Sequence, residues 1–154
     1  MEQNAKKLLE RAIELDPNLA NAHFKLGVLY QSEHKYDLAL EYFEQAVSIN
    51  SSHAEAECEL AIELTRLSKH EDAREHFLNA LELNPNFVKA YFNYALMLVE
   101  VKDFEEAKNN FDKVIDHIKS KNQKVSIENM RETIWNIGFK ECSTFKPKLE
   151  KFFI

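Results

Sequence analysis

The chain has 154 residues, 45% of them apolar and 30% charged, with only two glycines and three prolines. That length supports one domain with a sizeable core, and so few turn-forming residues argue against a sheet-rich fold. Net charge is −6, made up of −10 over residues 1–118 (12 Lys/Arg against 22 Asp/Glu) and +4 over residues 119–154 (8 against 4), and an acidic body excludes nucleic acid as a principal partner. No apolar run is long enough to span a membrane, and no basic-then-apolar leader opens the sequence. Cys58 and Cys142 have neither metal-type nor redox-type spacing, so reduced thiols and a cytoplasmic setting are expected.

In chain order, the first element carries Ala5, Leu9, Ala12 and Leu15 at helical spacing and ends at Asp16-Pro17-Asn18. A second helix follows with Ala22, Leu26, Gly27 and Tyr30 on one face. After the break at Glu33-His34-Lys35 comes a third, marked by Tyr36, Ala39, Leu40, Phe43, Ala46 and Val47. The pattern then repeats. Ala56, Leu60, Ala61 and Leu64 are followed by Ala73, Phe77, Ala80 and Leu81. Beyond Asn84-Pro85-Asn86 come Ala90, Tyr94, Ala95 and Leu98, then Phe104, Ala107, Phe111, Val114 and Ile115. Ala5, Ala39, Ala73 and Ala107 are each 34 residues apart, and a large apolar residue follows each by four positions: Leu9, Phe43, Phe77 and Phe111. Small residues at Gly27, Ala61 and Ala95 are expected to face Ala39, Ala73 and Ala107, with the phenylalanines filling the space between neighbouring pairs.

These columns resemble the tetratricopeptide repeat (TPR), whose pattern over 34 residues runs leucine-glycine, tyrosine, alanine, phenylalanine and proline. The resemblance implies an all-α, right-handed superhelical solenoid. It would comprise an N-terminal half repeat at 1–19, full repeats at 20–53, 54–87 and 88–121, and a C-terminal capping helix with a basic aromatic tail at 122–154. The departures from the pattern are specific. His23, Glu57 and Tyr91 stand in the leading tryptophan column, and His34, Ser68 and Lys102 stand where glycine is common between paired helices. Any left-handed residue at those three positions carries strain. The half repeat lacks its partner helix: either the sequence is cut from a longer array or Met1–Leu15 caps the first full repeat, and Leu8 and Ile13, which look built to pack on something, favour the first.

Past Lys121 the period dissolves. Ser126 caps an expected helix with Ile127, Met130, Ile134 and Ile137 on one face and Trp135 beside them, ended by Gly138. The tail beyond it carries Phe145, Phe152 and Phe153 among lysines. It either completes the cap or occupies an acidic, apolar groove of its own or a neighbouring molecule.

Catalytic chemistry finds no foothold. The six histidines show no zinc-ligand spacing, and His70 and His76 lie on different helical faces. Two isolated glycines cannot build a phosphate loop. The abundant carboxylates are expected on solvated faces. The reading is a non-catalytic protein without metal or other cofactor, with a protein or peptide as partner and neither nucleic acid nor membrane.

The resemblance implies that the first helix of each pair lines a concave groove. With the signature stripe buried, the adjacent stripe supplies the candidate site: Phe24, Val28 and Gln31, then Cys58, Ile62 and Thr65, then Phe92 and Leu96, with Lys89 and Asn93 beside them. Val99 completes the third set. The sharp reading is an apolar trough for an extended peptide or helix; the plainer one packs these side chains between neighbouring first helices. Glutamate at both Ile62 and Leu96 is expected to abolish binding with helicity intact. The relatives that clamp acidic chaperone tails use lysine, asparagine and arginine where this chain has Phe24, Val28, Glu59, Lys89 and Asn93, so that ligand is disfavoured. Alternative readings are a chaperone for secreted translocator-type proteins and a module that self-associates through its repeat ends or tail.

Overall fold

The computed structural model describes residues 2–121, and every regular element among them is a helix. Helices α1 (Glu2–Leu15), α2 (Ala20–Ser32), α3 (Tyr36–Ile49), α4 (Ala54–Arg66) and α5 (His70–Leu83) belong to one compact unit that ends at Pro85. Helices α6 (Val88–Glu100) and α7 (Phe104–Lys121) belong to a second that begins at Asn86. The expected capping helix and basic tail lie outside the described residues. In the first unit each helix packs on the next, and α2 with α3 and α4 with α5 form the closest pairs. In the second unit α6 pairs with α7.

The repeat columns explain the pairs. Ala39, Phe43 and Ala46 of α3, and Ala73, Phe77 and Ala80 of α5, are 0% exposed. Ala107, Phe111 and Val114 are buried in the same way on α7. Burying one phenylalanine contributes roughly 2–3 kcal/mol, so each pair is anchored chiefly by its ring. The small-residue column serves that ring directly. A Cβ added at Gly27 would lie 2.5 Å from Cε1 and 2.7 Å from Cδ1 of Phe43. The Phe43 ring therefore reaches into its own pair against Gly27.

Turns recur with the same period. His34, Ser68 and Lys102 adopt φ of 60°, 59° and 65°, so three side chains sit in the left-handed region at the expected positions. Each is held by a pair of backbone bonds at a helix C-terminus. In the first, His34 N–H donates to Gln31 O at 3.0 Å and Lys35 N–H to Tyr30 O at 2.9 Å. A left-handed non-glycine residue costs roughly 1–2 kcal/mol. Between repeats the chain reverses through side-chain turns. Asp16 Oδ1 accepts from Asn18 N–H at 3.0 Å, and Asn50 Oδ1, 34 residues on, accepts from Ser52 N–H at 3.0 Å.

Candidate partner-binding surface

In the first unit the candidate residues lie on α2 and α4, and a polar contact joins these two helices. The Gln31 side-chain amide donates to Glu59 Oε2 at 3.0 Å and to Glu63 Oε1 at 2.7 Å. Those bonds require the Gln31 side of α2 to adjoin the Glu59–Glu63 side of α4. Around them Phe24, Ile62 and Thr65 are half-buried, whereas Val28 keeps 39% of its surface exposed. The Phe24 ring rests against His53 (4.8 Å between centroids) and Phe43 (5.9 Å). The Thr65 hydroxyl donates to Ala61 O at 2.8 Å within its own helix, so it is already engaged.

Cys58 departs from the expectation of an open lining position: it is 0% exposed. Phe92 departs from it likewise in the second unit, at 3% exposed, with its ring edge-on to Phe111 at 6.0 Å. Both α4 and α6 are buried over more than one face, so a side chain one step off the signature stripe is still enclosed. Val99 is buried for the same reason. On α6, Lys89 is exposed while Asn93 and Leu96 are half-buried. The Asn93 amide donates to Lys89 O at 2.8 Å.

The carboxylates of α4 are expected in solvent, and of the four only Glu55 is exposed. Glu57, Glu59 and Glu63 are only 3%, 6% and 1% exposed. Burial pushes the Glu63 carboxyl above the ordinary carboxylate range, against the opposing pull of the Gln31 amide and the Arg66 guanidinium, and the Glu59 charge pushes it further up. Arg66 Nε stands 3.5 Å from Glu63 Oε2. That distance and direction make an ion pair without a hydrogen bond, which leaves Oε2 otherwise unsatisfied. One sequence signal pointed to Glu63: it holds the column occupied by Leu29 and Met97 one repeat to either side, which is an apolar column.

Glu57 occupies the column of the family's leading tryptophan and fills it with a pair. His76 Nδ1 on α5 lies 2.6 Å from Glu57 Oε2. That hydrogen bond holds the His76 pKa above the ordinary histidine value despite burial. In the preceding repeat His23 meets the same requirement differently. Its Nε2 lies 3.0 Å from Pro17 O, its ring is 6.0 Å from Tyr42, and Tyr42 stacks on Tyr30 at 5.3 Å. The polar side chains in this column thus close individual helix pairs. Among the described residues no group of three or more His, Cys, Asp or Glu is placed to hold a metal ion, and no helix is long and apolar enough to cross a membrane.

Comparison with known proteins agrees with this architecture. Tetratricopeptide repeat models match residues 20–53 and 76–109, and a TPR repeat model matches residues 3–33. No curated protein matches the sequence. Among solved structures, a crystal structure of MamA is similar at TM-score 0.71 and 22% identity, over 79% of this chain and 71% of that one. MamA 41-end from Desulfovibrio magneticus RS-1 is similar at TM-score 0.69 and 25% identity, over 79% and 68%. The second TPR of Spaghetti (RPAP3), bound to the HSP90 peptide SRMEEVD, is similar at TM-score 0.60 and 22% identity, over 62% and 89%. Paired helices, a 34-residue beat held by alanine and phenylalanine, and three separate family matches lead to one assignment: the chain belongs to the tetratricopeptide repeat family.

Proposed function

We propose that this chain is a non-catalytic interaction scaffold whose first helices bind a peptide or helix of a partner protein. The observation that carries the reading is Val28. It is an apolar residue left 39% exposed, one turn along α2 from half-buried Phe24, on a helix that Gln31 ties to α4, where Ile62 is half-buried. An apolar strip framed by polar groups is how a modest interface gains both affinity and register. Gln31 and Thr65 lie at its edge, and Lys89, Asn93 and Leu96 are the residues of α6 assigned to the same role. Cys58 and Phe92, both enclosed, support α4 and α6 respectively from within. That a related repeat structure holds a peptide supports a peptide-sized ligand. The acidic tail class stays disfavoured, because Glu59 carries negative charge into this face.

The test is affinity capture from the native lysate with the wild-type chain and with a Val28→Glu/Ile62→Glu variant, read by mass spectrometry. A protein retained only by the wild type is the expected result. Identical captures by a variant with wild-type helicity would move the binding surface elsewhere.

A further inference from the structure

Where α2 meets α4, one buried carboxylate is left short of partners. The Gln31 side-chain nitrogen donates to two carboxylates at once, Glu59 at 3.0 Å and Glu63 at 2.7 Å. A neutral amide thus gives both of its hydrogens to anions and brings no compensating charge. The Glu63 side chain is 1% exposed, and its other oxygen, Oε2, accepts no hydrogen bond from any described residue. The cation beside it is Arg66, with Nε at 3.5 Å. The same guanidinium lies over the Tyr36 ring at 4.5 Å, so it is divided between an aromatic face and the carboxylate. Burial and the Glu59 charge outweigh Gln31 and Arg66, and the ionised form of Glu63 is under-supported.

The chemistry of the shortfall defines what would fill it. The missing group must reach both carboxylates from the position of the Gln31 amide, donate to Oε2 and carry positive charge. Lysine supplies a compact point charge, whereas a guanidinium is a planar fork of N–H donors that bonds carboxylates pairwise. One terminal nitrogen of a guanidinium repeats the two donors of the Gln31 amide, and the remaining nitrogens have hydrogens left for Oε2. The side chains over Glu63 are long and reach solvent: Gln31 is half-buried, and Arg66 keeps 45% of its side chain exposed. Val28 stands three residues before Gln31 on α2, so an apolar neighbour of the incoming cation has somewhere to rest.

We propose that this face receives one arginine side chain of the partner peptide, seated between Glu59 and Glu63, and that Gln31 holds its place until the peptide arrives. The proposal rests on the reading of Val28 as part of the peptide-binding strip and names the side chain that the strip selects.

The experiment uses the full chain, isotope-labelled at valine methyl groups and glutamine side-chain amides and followed by NMR. The probe is a capped pentapeptide with a central arginine between pairs of leucines, compared with the same peptide carrying neutral, isosteric citrulline. The arginine peptide should shift the Val28 and Gln31 signals in one saturable process, at least about tenfold more tightly than its citrulline counterpart. Glu63→Gln should abolish that preference while Val28 still responds, and the same change at exposed Glu44 should leave it intact. A folded Gln31→Ala chain should bind the arginine peptide at least as tightly as the wild type, because the seat is already open. Equal affinities for the two peptides, or a preference that survives Glu63→Gln or is lost in Glu44→Gln, would overturn the proposal and leave the Val28 strip standing. A loss of about tenfold in Gln31→Ala would also overturn it, since Gln31 would then be a contact and not a stand-in. If neither peptide shifts Val28 by about 10 mM, the strip reading fails and takes this proposal with it.

Discussion

Helices α2 and α4 hold the same place in successive repeats and bury different chemistry, whereas α3 and α5 beneath them bury the same residues. Under α2 lie Ala39, Phe43 and Ala46, and under α4 lie Ala73, Phe77 and Ala80, all 0% exposed. Above, α2 buries one polar side chain, His23, and exposes Lys25 and Val28; α4 buries Glu57, Glu59 and Glu63. The second helices thus hold the repeat frame, and the first helices are free to differ. Variation is concentrated on the helices proposed above to bind a partner.

If the second helices set the frame, removing the ring from either should be equally severe. Phe43→Ala and Phe77→Ala should each cost about 3–5 kcal/mol in urea denaturation, and the same series at Leu9 much less. Unequal effects of the two phenylalanine changes would break the equivalence of α3 and α5. Next in size is the contact that joins α2 to α4. Gln31→Ala removes the amide donor from two buried carboxylates and should cost about 2 kcal/mol. The loss should shrink in a Glu63→Gln background, where the buried charge is gone.

The turns give a smaller effect of opposite sign. Ser68→Gly relieves a left-handed residue and should stabilise by about 1 kcal/mol, visible as a raised Tm. Smallest is a pH effect confined to the second repeat. Because Glu57 holds the His76 pKa above its unfolded value, the pair's contribution is fully present below that unfolded value. It is lost as pH rises through the higher folded value. Denaturation midpoints across pH 6–9 should show this fall in the wild type and a flatter course in Glu57→Gln. The first repeat, closed by His23 on a backbone carbonyl, should show no response to that substitution.

The frame was legible in the sequence because its residues are chemically constrained. Alanine and phenylalanine columns recur where two helices meet closely, and His34, Ser68 and Lys102 stand where a tight helix exit demands the left-handed region. The surface was less legible. A periodic pattern identifies which residues share a column but not how much neighbouring helices cover it, so it does not decide between an open trough and packed neighbours, and Cys58 and Phe92 are enclosed. Glu57, Glu59 and Glu63 of α4 read as solvated because glutamate is usually so. Their burial depends on Gln31 and His76, 28, 32 and 19 residues away in sequence, which no local pattern displays.

The claim that first helices recognise the partner while second helices hold the frame can be read in one measurement: hydrogen–deuterium exchange of the full chain, alone and saturated with the protein that it captures. New protection confined to peptides of α2, α4 and α6 is the predicted result, with α3 and α5 slow to exchange in both states. Protection that falls instead on α3 and α5 would contradict the account.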